Sequence, residues 1–385
     1  MTAQVKKGTD LLYSLIAEAR AYPDAIIMGR GDPDFDTPAH IVAAARAAMA
    51  AHGADHSPTE GLLALREAIS ARVRRYNQIE ADPETEVVVT NGGQEALFLM
   101  VLAAVGEGQG LLVPEPNYNT YNDALRFARG VKIGVPTSMH ENFRVRPEQV
   151  RSAITPVAKA LLLASPNNPS AGVIGREDQQ ALVALAREHD LTIIADDIYD
   201  LFVYDDIKHT STAAVPGGRE RTMTLNALSK SFSMTGWRLG WVVGPAPLMA
   251  RVRQLKAAIS GPTAIISQHA AIAALTGPDE PVRMMHATYE RRRQMVLDAL
   301  TSMGIPHGAP QGGQFVFADI GFTGLSSIEL AQHILSTEHV LVYPGAAFAE
   351  GWENFLRITF LQPEDKLHEG LERMKRAMAS IPASR

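Results

Sequence analysis

Short apolar runs alternate with helix-like segments between residues 86 and 195, and this alternation constrains the fold more than any other feature of the chain. The runs are too short for helices and are bounded by turn residues, whereas the segments between them have apolar residues at helical spacing. The predicted strands are Val87–Thr90, Leu111–Val113, Val131–Val135, Ala160–Ala164 and Leu191–Ala195, and the predicted helices are Gln94–Val105, Tyr121–Ala128, Pro147–Ile154 and Glu177–His189. This order predicts a mainly parallel sheet with helices on both faces and a ligand site at the carboxyl ends of its strands.

The C-terminal part of the chain has a different pattern. A long polar helix is predicted at Val282–Met303, and shorter elements follow it. The predicted strands are Gln314–Ile320, Val340–Tyr343 and Phe355–Phe360, and the predicted helices are Ser327–Ser336 and Glu364–Ala379. We therefore expect an α/β protein with a large domain at residues 46–280, whose mainly parallel (mixed) sheet is flanked by helices, and a smaller α+β domain at residues 281–385.

Residues 1–45 are expected to join the small domain. They contain a predicted short helix that ends near Arg20 and a Gly-, Asp- and Pro-rich loop at Ile26–Pro38. Asp36 or Thr37 is expected to cap the next helix, Ala39–Ala51, because short polar side chains accept hydrogen bonds from the first N–H groups of a helix.

Composition excludes several classes of function. The formal net charge is −6 and the chain has no basic block, so nucleic acid and anionic membrane surfaces are not expected partners. The absence of cysteine excludes disulfides, thiolate catalysis and cysteine-ligated metals, and it fits a reducing compartment. The start of the sequence lacks the apolar segment of a signal peptide, and no apolar run reaches membrane-spanning length. We expect a cytoplasmic enzyme with no metal site.

Lys230 lies in a hydroxyl-rich turn between two predicted buried strands, Met223–Leu228 and Leu239–Val243. Burial disfavours the charged form of an amine, so a lysine in a partly dry pocket becomes available for covalent chemistry with a carbonyl. Ser229 beside it and Arg238 beyond it are residue types that hold a phosphate. The alternative is an ordinary lysine in a polar turn.

Two further turns follow predicted strands and offer hydrogen-bond donors. Gly92-Gly93-Gln94 stands between a strand and a helix, where backbone N–H groups can bind phosphate; the alternative is a tight connection without a ligand. Asn168 lies in the loop SPNNPSAG, residues 165–172, and can donate to a phenolate-like oxygen. Its alternative is a side chain bonded to its own turn.

Two charged residues lie in or beside apolar strands. Asp196 follows the strand at Leu191–Ala195 and needs a partner, which can be a protonated pyridine nitrogen or an arginine elsewhere in the fold. Arg357, inside the strand at Phe355–Phe360, is expected to meet a carboxylate or phosphate of the protein or of a ligand. Tyr118, in a loop rich in Pro and Asn, can stack on a flat ring or serve packing alone.

The order of these motifs resembles that of the fold-type I pyridoxal-phosphate enzymes of the class I/II aminotransferase family. The resemblance runs from GDPDFDTP, residues 31–38, to LRITF, residues 356–360, and SKSFSMTGWRLGW, residues 229–241, is its most specific part. It implies aminotransferase fold type I, pyridoxal 5'-phosphate as cofactor, amino-acid and 2-oxo-acid substrates, and a homodimer. Aspartate/aromatic and arginine:pyruvate types are the most similar members, and the segment DIGFTGLSS, residues 319–327, favours the latter slightly.

The resemblance implies a role for each matching residue. Lys230 would form the Schiff base and move the substrate proton as a general base, and Asp196 would pair with the pyridine nitrogen. Asn168 and Tyr199 would contact the phenolic oxygen, and Tyr118 would stack on the ring. The phosphate would be held by Ser229, Arg238 and the Gly92-Gly93-Gln94 turn, and the substrate carboxylate by Arg357 and the backbone at Gly31.

The sequence departs from the family pattern at two places. His56-Ser57-Pro58 stands where the family often has Tyr-x-Pro, whose tyrosine typically reaches the phosphate of the partner subunit. Ala171 is an extra residue in the Asn168 loop, and we expect a local adjustment there. Arg30 is either a cation for an acidic substrate side chain or an exposed loop arginine.

We therefore expect a transaminase that moves an amino group from an L-amino acid to a 2-oxo acid, pyruvate or 2-oxoglutarate, by a ping-pong mechanism. Two alternatives stay open. One is a β-lyase acting on sulfur amino acids, because the same carbanion can expel a leaving group. The other is a non-catalytic ligand-sensing module, like the aminotransferase-like domains of some transcription regulators.

Overall fold

The computed structural model describes residues 8–53 and 55–381. Its helices lie close to the predicted ones. They are α1 (Gly8–Ala19), α2 (Ala39–His52), α3 (Leu63–Asn77), α4 (Gly93–Ala104), α5 (Thr120–Phe127), α6 (Pro147–Ala153), α7 (Arg176–Glu188), α8 (Leu228–Ser231), α9 (Ala246–Ile259), α10 (Ile265–Thr276), α11 (Glu280–Ser302), α12 (Ser327–Glu338) and α13 (Glu364–Ala379). None of the helices in the described ranges is long and apolar enough to span a lipid bilayer.

The strands also follow the prediction, with two exceptions. The predicted loop at Ile26–Pro38 begins with a two-residue strand, and the predicted strand at Val340–Tyr343 is two short strands. They are β1 (Ile26–Ile27), β2 (Val87–Thr90), β3 (Gly110–Glu115), β4 (Val131–Pro136), β5 (Ala158–Ala164), β6 (Thr192–Asp196), β7 (Thr222–Ala227), β8 (Gly240–Val243), β9 (Phe315–Asp319), β10 (Val340–Leu341), β11 (Tyr343–Pro344) and β12 (Phe355–Thr359).

Seven strands form the central sheet, in the order β2-β8-β7-β6-β5-β3-β4. Only β8 in this sheet is antiparallel to its neighbours, β2 and β7, and the remaining pairs are parallel. The predicted mainly parallel, mixed sheet is confirmed. The carboxyl ends of β2, β5, β6 and β7 therefore lie at one edge, and the start of β8 lies at the same edge because its direction is reversed.

Helices cover both faces of this sheet. Leu162 and Ile194 pack on the face that α4 covers, whereas Leu161, Leu163 and Ile193 pack on the face that α7 covers. Neighbouring strand residues point to opposite faces, so a strand that is buried on both sides must be apolar at nearly every position. This geometry explains the unbroken apolar runs in the sequence.

The C-terminal elements form a smaller antiparallel sheet in the order β11-β12-β9, with α12 and α13 beside it. The N-terminal segment joins this part of the chain, because β1 pairs with β10 in parallel and aligns Ile26 with Val340. The domain boundaries at residues 45/46 and 280/281 stay a prediction.

The predicted capping of α2 is wrong. Pro38 precedes the helix, and no side chain caps its first turn. Thr37 instead donates a hydrogen bond of 2.7 Å from Oγ1 to the carbonyl oxygen of Ser233 and accepts one of 3.0 Å from Trp237 Nε1. Its hydroxyl therefore connects the N-terminal loop to the turn that contains Lys230.

A buried ion pair connects α3 to the segment that follows β6. Arg72 Nη2 lies 2.9 Å from both carboxylate oxygens of Asp200, and the Arg72 and Asp200 side chains are 3% and 2% exposed. We expect Arg72→Met to lower the free energy of unfolding by about 3–5 kcal/mol, because it leaves a buried carboxylate without its cation. Urea unfolding of the two variants measures this, with Arg74→Met as the control on the exposed side of the same helix. Equal stability of the two variants would contradict the prediction.

Candidate active site

Lys230 lies on the short helix α8, directly after β7, and its side chain is only 14% exposed. Its amine donates a hydrogen bond to the carbonyl oxygen of Gly31 and lies 4.0 Å from a carboxylate oxygen of Asp32. Burial lowers the pKa of Lys230 to about 8; Asp32 opposes this shift, and the nearby charges of Arg357 and Arg238 add to it. An amine with this pKa is partly neutral near physiological pH.

Asp196 ends β6 and is buried. One carboxylate oxygen accepts a hydrogen bond from the hydroxyl of Tyr121, and the other accepts one of 3.1 Å from the backbone N–H of Ile198. Burial raises the pKa of Asp196 to about 6, although both hydrogen bonds oppose the shift. No lysine or arginine in the described ranges forms an ion pair with it, so the predicted structural alternative of an arginine partner is not realised.

The turn between β2 and α4 lies beside Arg238. Gly92 has φ +82°, and a Cβ atom there would lie 2.7 Å from Nη2 of Arg238. The guanidinium of Arg238 donates to two backbone carbonyls, those of Thr235 at 3.1 Å and Asn91 at 3.4 Å. Gly93 begins α4 and Gln94 is exposed in its first turn. Ser229 is buried within α8. The arginine, the helix start and the serine turn thus form one potential anion site.

Arg357 on β12 is buried and forms no ion pair with a carboxylate of the described residues. Its Nη1 donates to Asn168 Oδ1 at 2.8 Å, and its Nη2 donates to the carbonyl oxygen of Gly29 at 2.6 Å. Aromatic rings flank the guanidinium at 4.8–5.3 Å; they belong to Phe315, Tyr343 and Phe348. An internal carboxylate partner, one of the predicted alternatives, is therefore not present in this part of the structure.

The two asparagines of the loop at residues 165–172 have different hydrogen-bond partners. Asn167 makes the local turn, because its Oδ1 accepts hydrogen bonds from the N–H and the hydroxyl of Ser170 at 3.3 and 2.9 Å. Asn168 contacts Arg357 instead, and its amide N–H groups can donate to a ligand. The extra residue Ala171 has φ +60°, and its carbonyl accepts from Gln311 and Gly312 N–H groups. That Ala171 causes only a local adjustment of this loop stays a prediction.

The tyrosines and glycine of the predicted site lie around these charged groups. Tyr199 is buried, and burial raises the pKa of its hydroxyl. Tyr118 is 36% exposed and makes an edge contact with the ring of Tyr121, the residue bonded to Asp196. A Cβ atom at Gly31 would meet no atom within 4 Å, so the backbone is open there.

Two other residues singled out in the sequence are more exposed. His56 is exposed, beside the buried Ser57. Arg30 has a side chain that is 65% exposed and forms an ion pair with Asp32 at 2.5 Å. The Arg30 side chain is that of an exposed loop arginine whose neighbour, Asp32, lies beside the amine of Lys230.

Comparison with known proteins identifies the family. A family model described as "Aminotransferase class I and II" matches residues 23–374. Similar proteins include an aspartate aminotransferase of Pyrococcus abyssi, 36% identical over 94% of this chain and 93% of that protein, and the arginine–pyruvate transaminase AruH of Pseudomonas aeruginosa, 37% identical over 97% and 94%. The chain belongs to the class I and II aminotransferases.

Solved structures agree with this assignment. An aromatic aminotransferase of Pyrococcus horikoshii OT3 superposes with a TM-score of 0.90 at 36% identity, covering 95% of this chain and 98% of that one. An aspartate aminotransferase of Thermus thermophilus with maleate gives a TM-score of 0.91 at 34% identity, covering 97% of both chains. The predictions of aminotransferase fold type I and of a transaminase are confirmed, and the comparisons do not favour the β-lyase or the sensing module.

Class I and II aminotransferases depend on pyridoxal phosphate, and the pocket of this aminotransferase fits that cofactor. Asp196 is a buried carboxylate without a cationic partner in the described ranges, as a protonated ring nitrogen requires. Gly92 leaves room beside Arg238, whose protein partners are carbonyls, as a phosphate requires. Lys230 supplies an amine of lowered pKa for the aldehyde.

Tyr121 is the residue of this aminotransferase site that sequence reasoning missed. The sequence predicts it as the first residue of a helix, and the structure shows that its hydroxyl is the side-chain partner of Asp196, 75 positions away. A buried tyrosine hydroxyl needs a polar partner, but that rule alone does not identify the partner.

We expect Tyr121→Phe to raise the pKa of Asp196 above about 6, because the variant loses a hydrogen bond that favours the ionised carboxylate. If the ring nitrogen of the cofactor pairs with the ionised form of Asp196, the cofactor affinity of the apo-protein should fall as pH drops through this pKa. In the variant the fall should begin at a higher pH. Cofactor dissociation constants across neutral and mildly acidic pH measure the shift, with the exposed Tyr13→Phe as control. Superimposable pH profiles for Tyr121→Phe and wild type would refute the assignment.

Proposed function

We propose that this aminotransferase transfers the amino group of an L-amino acid to pyruvate or 2-oxoglutarate, with Lys230 as the residue that binds the cofactor covalently and moves the substrate proton. One observation supports this most directly. The amine of Lys230 is largely buried, has a pKa of about 8 and interacts electrostatically with the buried Arg357. Tyr199 interacts in the same way with both Arg357 and the uncompensated carboxylate of Asp196. Burying these charges without partners costs stability, and a ligand of complementary charge would supply the partners.

The lowered pKa of Lys230 suits proton transfer. Pyridoxal phosphate, when bound, supplies an aldehyde that takes up the amino group and a ring that withdraws electrons from Cα. The amine of Lys230 can take a proton in its neutral form and return it in its charged form, and a pKa near the working pH allows both steps. The amine is positioned by its hydrogen bond to the Gly31 carbonyl oxygen and by the carboxylate of Asp32, 4.0 Å away.

The other residues bind and orient the cofactor in this proposal. Asp196 holds the ring nitrogen in its protonated form, and Tyr121 keeps that carboxylate oriented and ionised. The amide of Asn168 and the hydroxyl of Tyr199 donate to the phenolic oxygen, and Tyr118 covers the ring. The phosphate is bound by Ser229, Arg238 and the N–H groups of the Gly92-Gly93-Gln94 turn.

Arg357 binds the α-carboxylate of the substrate. Its guanidinium is fixed by Asn168 and Gly29 and by flanking aromatic rings, so its remaining N–H groups keep one direction. A planar fork of two N–H groups matches a carboxylate. The backbone at Gly31, where a Cβ atom would meet no other atom within 4 Å, completes this subsite.

The assembly and the location of the protein are also proposals. The family resemblance supports a homodimer. The absence of cysteine supports a cytoplasmic location, because the chain cannot form the disulfides that stabilise many proteins of oxidising compartments.

We expect Lys230→Ala to abolish both turnover and the visible absorption of the lysine-bound cofactor, because the variant lacks the amine that bonds to the aldehyde. Absorption spectra of the reconstituted variant and coupled assays with an amino-donor panel measure the two effects. Lys366→Ala, at an exposed position of α13, is the control. Retention of the absorption and of turnover in the Lys230 variant would exclude the assignment.

We expect Arg357→Lys to lower kcat/KM for all amino donors by about 10–100-fold, because a lysine ammonium replaces a two-point fork by one contact. Cofactor absorption should be retained, since Arg357 is not a proposed cofactor ligand. Steady-state kinetics with pyruvate and with 2-oxoglutarate measure the change, and the exposed Arg126→Lys is the control. An effect limited to donors with one kind of side chain would instead place Arg357 in a side-chain subsite.

A further inference from the structure

Glu95 fixes the backbone of the turn that precedes α4. Its Oε2 accepts a hydrogen bond of 2.5 Å from the backbone N–H of Asn91, and its Oε1 accepts one of 3.2 Å from the Asn91 side chain. Asn91 is the residue directly before Gly92, and its carbonyl oxygen accepts from Arg238 at 3.4 Å. The carboxylate of Glu95 therefore determines where the turn and one contact of Arg238 lie.

Lys256 holds this carboxylate from the other side. It lies on α9, its side chain is completely buried, and its Nζ is 3.0 Å from Glu95 Oε2. The hydroxyl of Ser260 donates to Glu95 Oε1. Donors from three residues, Asn91 in the turn and Lys256 and Ser260 on and at the end of α9, thus converge on a single carboxylate that is only 12% exposed. Burial lowers the pKa of Lys256, and the Glu95 charge opposes this shift.

The charge of Glu95 makes the lysine necessary. Glu95 lies in the first turn of the helix whose N-terminus faces the proposed phosphate site. A carboxylate there would repel a phosphate dianion, and weak screening of partly buried charges would increase the effect. A buried cation in direct contact neutralises the carboxylate and leaves its hydrogen bonds to Asn91 intact.

We propose that Glu95 and Lys256 form a neutral buried pair that positions the Asn91–Gly93 turn for the cofactor phosphate. Lys256 is then a positioning residue that increases phosphate affinity without contacting the phosphate. This inference rests on the proposed function, in which the turn binds the phosphate of pyridoxal phosphate.

The test compares two ligands of the apo-protein, pyridoxal phosphate and pyridoxal, which lacks the phosphate. The dissociation constant for pyridoxal divided by that for pyridoxal phosphate measures the contribution of the phosphate site alone. We expect Lys256→Met to reduce this ratio by about tenfold or more, with pyridoxal affinity nearly unchanged. Glu95→Gln combined with Lys256→Met should recover part of the ratio, because the unpaired negative charge is then removed. Glu80→Gln, in an exposed ion pair, is the matched control.

The outcomes separate the two proposals. If wild type binds both ligands equally, or if Arg238→Met leaves the ratio unchanged, the phosphate assignment of the turn is wrong. If wild type and Arg238→Met behave as expected but Lys256→Met weakens both ligands equally, or changes only thermal stability, the pair has a structural role alone and the inference is overturned. Should Lys256→Met fail to fold, the isosteric Glu95→Gln removes the other charge of the pair, and a ratio equal to that of wild type would overturn the inference.

Discussion

The site depends on one unfavourable arrangement, a buried carboxylate at the end of a central strand that has no cationic partner among residues 8–53 and 55–381. Asp196 accepts a hydrogen bond from Tyr121 and one from the backbone of Ile198. These bonds do not compensate for the loss of hydration of the carboxylate, as its raised pKa of about 6 indicates. The carboxylate remains there because β6 is paired on both sides and cannot move it into solvent. In the proposed function, the cationic ring of the cofactor supplies the missing partner.

The sheet brings the other groups to the same place. Parallel strands end at one edge, so Asn168 after β5, Asp196 at the end of β6 and Lys230 after β7 meet although they are distant in sequence. The antiparallel strand β8 adds Arg238, because it begins at that edge and pairs its first residue, Gly240, with both Thr90 and Ala227. A Cβ atom at Gly240 would lie 2.8 Å from the Gly92 carbonyl carbon, so glycine is required for this approach.

The sequence predicts the elements of this fold well because their periodicity is local, and it predicts the site only as a set of residues. Local periodicity does not predict which side chains of distant segments come into contact. Tyr121 with Asp196 and Glu95 with Lys256 are pairs of this kind, separated by 75 and 161 positions. Thr37 shows the opposite case, in which a tertiary contact with Ser233 and Trp237 replaces the helix cap that the local sequence favours.

The pKa values of two site residues indicate how the pocket affects folding. The folded-state pKa of Asp196 is raised from 3.8 to about 6, so its ionisation costs stability increasingly as pH rises through that range and fully above it. The pKa of Lys230 is lowered from 10.5 to about 8, so its charged form costs stability fully below about 8, and the cost is relieved as pH rises towards 10.5. Both costs are complete between about pH 6 and 8. In the proposed function, the cofactor pairs with the carboxylate and removes the charge of the amine, so its contribution to the stability of the fold should be largest between about pH 6 and 8.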